Sequence, residues 1–345
     1  MKHQLKLQGE KADFFGPFYP FVQEDEITDI DFNGREVWVT DARNCRSLCK
    51  NIRLDGDFVE QFTQRVANAV SKPFNRQNPI LEAETDSLRI TIVHESVALS
   101  GRCICIRKSL PYVRLSYDRI LAEHYCSEEV LHLLIRCVEQ KMNMVIIGEP
   151  GSGKTELCKF LSGYIPEDER VITIEDTPEW HYSSLHPDRD SVELRVNQQM
   201  DYSEAIKTCL RLNPKWIMLS ETRSKEVVHL IESYSTGVKG MTTLHASDVR
   251  KIPDRMLNMA GSEREAKRFE NDIYSFIDVG VLVRRRQQED ALGNKQVRRF
   301  IDQICFFTRE NGENRCQLVV DGGVLMTSEF GKRRGTYYES KVAMG

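Results

Sequence analysis

The sequence predicts an α/β protein: a parallel sheet with helices on both faces in its C-terminal part, preceded by a smaller α+β domain. Three observations carry the prediction. From Asn143 onward, short apolar runs of strand length alternate with helical stretches, the rhythm of βαβ units. A glycine-rich turn joins the first of those runs to a helix. Before Leu110, strand candidates follow one another closely around a single helix.

Taken in order, Ile27–Phe32 and Glu36–Thr40 flank Asn33-Gly34, a hairpin signal, because Asn and Gly tolerate the positive φ of a tight turn. Asp57–Val70 reads as a helix with Phe58, Phe62, Val66 and Val70 spaced by four, ending before Pro73. Ser87–His94 and Arg102–Arg107 read as strands about a turn at Ser100-Gly101. Leu110-Pro111 opens a linker, and a helix follows from Tyr117 to Tyr125. Ser127 suits an N-cap, with Glu128 and Glu129 in the first turn of a helix reaching Gln140. Met144–Ile147, Val171–Ile174, Trp216–Leu219, Gly240–Leu244 and Asp278–Val283 are buried-strand runs. Helices are expected from Gly153, over Ser203–Leu212 and over Lys225–Tyr234, and a last strand over Arg299–Phe307.

A chain of 345 residues has room for two domains. Its 48 basic and 52 acidic residues leave a net charge of −4, which argues against a nucleic-acid wrapper. The runs Arg284–Arg286 and Lys332–Arg334 read as solvated faces. Ten cysteines form no CxxC pair, so free thiols in a reducing compartment are expected rather than a metal site. The segment MKHQLKLQGEKADFF lacks the apolar core of a signal peptide. No apolar run approaches the roughly 20 residues of a membrane helix. The expectation is a cytoplasmic protein, at most peripherally attached to a membrane.

The chemistry concentrates in the C-terminal part. Gly148-Glu149-Pro150-Gly151-Ser152-Gly153-Lys154-Thr155 fits GxxxxGK[ST] between a strand and a helix. Glycines let such a loop wrap so that its backbone N–H groups point at phosphate oxygens. Lys154 would reach the β- and γ-phosphates of ATP, and the Thr155 hydroxyl would hold Mg²⁺. Glu175-Asp176 ends one apolar strand, where carboxylates could hold Mg²⁺, with Asp176 acting partly through water, or orient an attacking water. Glu221 follows Trp216–Leu219 and is placed to polarise water, while Arg223 could contact a γ-phosphate. His245 closes a further strand.

In combination these motifs resemble the secretion traffic ATPase superfamily of type II secretion, type IV secretion and type IV pilus machines. IGEPGSGKTE is similar to its Walker A, ITIEDTPEW to its Asp box, CLRLNPKWIMLSETRSKEV to its Walker B region, and GMTTLHA to its His box. The form of the Asp box and the short linker look closest to the type IV secretion (conjugation) and related pilus-assembly branch. The resemblance implies a P-loop RecA-like motor domain over 128–345, a linker over 113–127 and an α+β N-terminal domain over 1–112. It implies a hexameric ATP hydrolase that drives substrate transfer or pilus assembly through a membrane-embedded platform, with no direct nucleic-acid contact. It makes Glu221, Glu175, His245, Arg223 and Lys154 catalytic, with His245 sensing the γ-phosphate and Arg211 a further arginine that could complete a site. Nucleotide contacts would extend over Gly148–Glu156, and to Arg102 and Arg107 of the N-terminal domain, which in that family packs over the nucleotide of a neighbouring site.

The chain departs from the family pattern at Pro150, Glu156, Ser220, Ser224-Lys225 and Val238. Ser220 adds a side chain where the pattern has glycine. These departures bear on the rate of hydrolysis and leave open a nucleotide-binding scaffold with little turnover. A nucleic-acid motor with the same core is the other alternative; it would need a basic, aromatic groove.

Overall fold

The computed structural model describes residues 12–85, 87–197, 199–261, 266–289 and 295–326. They form two compact units, one holding the chain to Tyr112 with Gln287–Val297, the other Val113–Arg286 and the chain from Arg298.

The first unit opens with two short helices, α1 (Ala12–Phe15) and α2 (Tyr19–Gln23). Its sheet holds β1 (Ile27–Phe32), β2 (Val37–Asp41) and β3 (Arg46–Leu48), then β4 (Ile80–Glu84), β5 (Leu88–Val93) and β6 (Cys103–Lys108), ordered β3-β2-β1-β6-β5-β4. The adjacent pairs are antiparallel. The β1–β2 turn forms where Asn33-Gly34 predicts it, and Asn33 Oδ1 accepts from the backbone N–H of Arg35 and Glu36. Helix α3 (Gly56–Val70) starts at Asp55, whose carboxylate accepts from the Phe58 N–H at 2.6 Å. Phe62, Val66 and Val70 bury against Phe15, Phe18, Ile30 and Ile106. Each such aliphatic or aromatic side chain contributes about 1.5–3 kcal/mol when fully buried. Strands β3 and β4 are additions to the elements legible in the sequence.

The second unit begins earlier than its motifs. Residues 113–127, expected as a linker, contain helix α4 (Tyr117–Ala122), and Ile120 and Tyr125 are buried in this unit's core. Helix α5 (Glu128–Glu139) starts at Ser127, whose hydroxyl accepts from the Val130 N–H. The sheet is built from β7 (Met144–Ile147), β8 (Val171–Glu175), β9 (Ser191–Arg195), β10 (Trp216–Leu219), β11 (Lys239–Leu244), β12 (Val279–Glu289, to Arg286 in this unit), β13 (Lys295–Glu310, from Arg298 in this unit), β14 (Glu313–Asp321) and β15 (Val324–Leu325). Its order is β15-β14-β13-β12-β7-β11-β10-β8-β9. The run from β12 to β9 is parallel, and β14 pairs antiparallel with β13 and β15. Strands β7, β8 and β10 are buried at every position, as expected when both faces of a parallel sheet are covered.

The helices between these strands are α6 (Lys154–Ser162), α7 (Tyr182–Leu185), α8 (Tyr202–Cys209), α9 (Glu226–Ser235), α10 (Ile252–Ala260) and α11 (Ala266–Phe276). The helix expected to reach Leu212 tightens into a 3₁₀ turn at Leu210–Leu212. Strands β12 and β13 are longer than their apolar cores, which are all that composition reveals of them. The basic run Lys332–Arg334 lies outside the described residues. Among the described residues no helix is long and apolar enough to cross a membrane.

This topology fixes the place of the chemistry. Strands β7, β8, β10 and β11 are parallel, so Gly148, Asp176, Ser220 and His245, the residues just past their C-terminal ends, share one edge of the sheet.

Candidate active site at the strand ends

The glycine loop is held by local sterics. Gly148 has φ +153°, and a Cβ there would lie 2.3 Å from the Val283 carbonyl oxygen, so no other residue fits without displacing β12. Gly153, at φ +93°, turns the chain into α6. Lys154 lies at the start of α6 and is buried. Its ammonium donates to the carbonyls of Gly148 at 3.1 Å and Glu149 at 3.3 Å, and lies 3.4 Å from His245 Nδ1. Burial lowers its pKa from the ordinary lysine value, against the pull of Glu221.

A continuous polar chain runs from this lysine across the strand ends. His245 Nδ1 is 3.0 Å from the Gly148 carbonyl oxygen, and its Nε2 is 3.0 Å from Glu221 Oε1. Arg223 donates to Glu221 Oε2 at 2.9 Å and to Asp176 Oδ2 at 3.0 Å. The hydrogen bond with Glu221 is the first reason that the Arg223 pKa is raised. Glu226 orders the turn that carries Arg223, accepting from the backbone N–H of Arg223 and Ser224 at 2.6 and 2.8 Å. The Asp176 N–H donates to the Tyr202 hydroxyl at 3.2 Å, which lies 3.3 Å from Ser220 Oγ. Burial pushes that tyrosine up to about 12. The Ser220 carbonyl accepts from Thr243 Oγ1 at 2.7 Å, tying β10 to β11 below the site.

Glu175 is placed differently from its sequence neighbour. It is 5% exposed, and its Oε1 accepts from the backbone N–H of Glu179 at 3.1 Å and Trp180 at 3.0 Å. Burial pushes its carboxyl up to about 8, although the two N–H donors favour the ionised form. The residue thus fastens the turn after β8, and the fully buried Trp180 pins the other end of that turn. The turn delivers Glu179, whose Oε2 accepts from the Thr155 hydroxyl at 3.2 Å.

Two further residues escape sequence reasoning. Arg299 of β13 donates from Nε to the Gly151 carbonyl at 3.2 Å, and its Cδ lies 3.2 Å from where a Gly153 Cβ would stand. Arg285 of β12 approaches Glu149 to 3.8 Å. The run Arg284–Arg286 is exposed, as the sequence predicts, while Arg284 pairs with Asp302 and Arg286 lies 5.8 Å over the Phe300 ring. For Glu179 the available signal was the acid four residues beyond Glu175 in EDTPE.

Several expected nucleotide contacts are engaged elsewhere. The Glu156 carboxylate accepts from the backbone N–H of Arg114 and, at 3.4 Å, of Leu115. Arg102, within the first unit, pairs with Glu60 and Glu95 and lies 5.4 Å over the Phe74 ring. Arg107 is exposed, 3.8 Å from Asp29 across the β1–β6 pair. Arg211 precedes β10 whereas Glu221 follows it, so about 13 Å of strand separates them. In its own chain Arg211 lies at the wrong edge of the sheet for this site. Ser152 Oγ is buried with no hydrogen-bond partner among the described residues, and Pro150 lies at the turn of the loop.

The donor set fits a metal–triphosphate. Glycine-loop N–H groups and a buried ammonium are donors that suit phosphate oxygens, and the oxygens of Thr155, Glu179 and Asp176 are the hard ligands that Mg²⁺ selects.

Comparison with known proteins bears on the same segment. The family model described as Type II/IV secretion system protein matches residues 76–333. An uncharacterized protein of Bacillus anthracis is 30% identical over 304 residues, 86% of this chain and 67% of that protein. The type IV secretion system protein VirB11 of Bartonella henselae is 31% identical over 179 residues, 49% of each chain, so the match spans about half of that relative. Among solved structures, the ATPase DotB of Legionella pneumophila superposes with a TM-score of 0.61 at 17% identity, covering 86% of this chain and 83% of that one.

Proposed function

The chain belongs to the type II/IV secretion system protein family, and from that premise we propose that it is a cytoplasmic motor that hydrolyses ATP·Mg²⁺ and works on a membrane-embedded secretion machine. The single observation that supports hydrolysis best is the run of polar groups from Lys154 and His245, which meet at the Gly148 carbonyl, through Glu221 to Arg223 and Asp176, laid along the strand ends beside the glycine loop.

In this reading Lys154 gives up its carbonyl partners for phosphate oxygens. Thr155, Glu179 and Asp176 would hold Mg²⁺, which supplies charge neutralisation at the phosphates. Glu221 accepts the proton of the attacking water, and His245 fixes the orientation of Glu221 while contacting the loop carbonyl. Arg223 neutralises Asp176 and Glu221 until the triphosphate enters, then turns its charge on the developing transition state. Glu175 acts by positioning the turn that presents Glu179. Arg211, at the opposite edge of its own sheet, would serve a neighbouring subunit, which agrees with a homo-hexamer. The type IV secretion branch is favoured by the Bartonella relative, and the net charge of −4 disfavours direct nucleic-acid contact.

The test is steady-state ATPase activity over a range of protein concentrations, with Lys154→Ala as control. Activity that rises cooperatively with concentration and vanishes in the variant supports the motor. ATP binding without turnover at any concentration, membranes included, refutes it in favour of a scaffold.

A further inference from the structure

We propose that Glu156 is a positioning residue that ties nucleotide occupancy of the glycine loop to the backbone of Arg114 and Leu115, the segment by which the chain enters its second unit. The inference rests on the proposed nucleotide site for its ligand, and on separate geometry for the tie.

Glu156 is the third residue of α6, directly after Lys154 and Thr155. At this position the main chain and the side chain face different tasks. Backbone N–H groups at the start of this helix belong to the phosphate cradle. The carboxylate instead receives the N–H groups of Arg114 and Leu115, 42 and 41 residues earlier in the chain. Val113 is the first residue of the second unit. Val113, Leu115 and Tyr117 pack against the core that holds Leu157, Cys158 and Leu161 of the same helix. The segment is thus fastened to α6 by apolar packing along its length and by one carboxylate at its start.

The residue type fits this task. A carboxylate can accept two N–H donors at once and is acceptor-only when ionised. Charge-assisted bonds of this kind are roughly twice as strong as neutral ones. A Thr or Ser side chain at this position would be too short to reach across as a carboxylate does. The departure at Glu156 therefore has a structural use, and it lies one residue from the expected Mg²⁺ ligand Thr155. Any shift of the α6 N-terminus on binding triphosphate passes through this side chain to residues 114 and 115.

The experiment is hydrogen–deuterium exchange at the 113–117 amides of the full chain, without ligand and at saturating ATP·Mg²⁺. Wild type, Glu156→Ala and Glu156→Gln are compared, with nucleotide binding measured separately on each. Without ligand, Glu156→Ala should exchange at least tenfold faster at 114–115, and Glu156→Gln, which keeps an acceptor oxygen, should recover part of the protection. ATP should change protection at these amides in wild type and not in Glu156→Ala. Unchanged ligand-free exchange in Glu156→Ala overturns the tie, and a wild type that binds ATP with no response at 114–115 overturns the coupling. A wild type that binds no ATP defeats the proposed function and the coupling with it; the ligand-free comparison still judges the tie. If Glu156→Ala fails to fold, Glu156→Gln against wild type decides: equal ligand-free protection and equal ATP response with a neutral acceptor refute the need for a charged one.

Discussion

Strands β8 and β10 lie side by side in parallel register, and each delivers a glutamate to the same edge of the sheet, yet the two carboxylates live in different physical worlds. Glu175 is buried and takes two backbone N–H groups, and burial holds its carboxyl up at about 8. Glu221, one register step further out, retains a partly exposed side chain and, among the described residues, pairs with the side chains of His245 and Arg223. A carboxylate spent on backbone donors positions a turn, whereas one held by side chains can be released to water and substrate. The pair teaches that an acid at the end of an apolar strand acquires its role from one step of register.

The largest expected effect separates them by turnover. Glu221→Gln removes the proton acceptor and should lower kcat by about 10²–10⁴-fold, as loss of general base catalysis does. Glu175→Gln keeps an acceptor oxygen for the Glu179 and Trp180 N–H groups and should cost far less. Next comes the cation between Glu221 and Asp176. Arg223→Ala should reduce kcat by about 10²-fold, the lower end for loss of a preorganised charge in a site. Its melting temperature should stay near wild type, because a half-exposed ion pair contributes at most about 1 kcal/mol.

The third prediction sharpens the comparison by pH. Folding raises the Glu175 carboxyl above its ordinary value, so the folded chain holds this proton more tightly than the unfolded chain. Its stabilisation is complete below the ordinary carboxylate range and is lost as pH climbs toward and through about 8. A tenfold difference in proton affinity between folded and unfolded chain is worth about 1.4 kcal/mol. Urea midpoints measured at pH 5, 6, 7 and 8 should fall with pH in wild type and fall less in Glu175→Gln. An identical slope in both proteins would show that Glu175 is ionised in the fold. The smallest effect belongs to Ser220→Gly, which removes only a 3.3 Å contact with the Tyr202 hydroxyl; stability should change by no more than about 1 kcal/mol.

Much of this site was legible in the sequence because its parts are local. The glycine loop announces itself through eight consecutive residues, and the apolar runs before Glu175, Glu221 and His245 fix which edge of a parallel sheet those residues occupy. What stayed hidden depends on distant pairing. Arg299 meets Gly151 across 148 positions; the strand over Arg299–Phe307 is legible in the sequence, but not the loop that its first arginine faces. Glu156 meets Arg114 across 42 positions, and nothing in GSGKTE says that its carboxylate turns away from the loop. In EDTPE three acids lie within five residues, and only the turn closed by Glu175 decides that Glu179 reaches Thr155. Arg107 lies in β6 and Arg102 just before it, yet Arg102 is wrapped by two glutamates and a phenylalanine ring while Arg107 is exposed, a contrast set by α3 and the β5–β6 loop.

The most direct test of the central claim measures ATP binding and ATP turnover in parallel on wild type, Glu221→Gln and Glu175→Gln, at saturating ATP·Mg²⁺. The account predicts that all three bind ATP, that Glu221→Gln loses at least about 10²-fold in turnover, and that Glu175→Gln keeps most of it. Equal loss in the two variants, or wild-type turnover by Glu221→Gln, would contradict the assignment of these two carboxylates and the hydrolytic reading built on them.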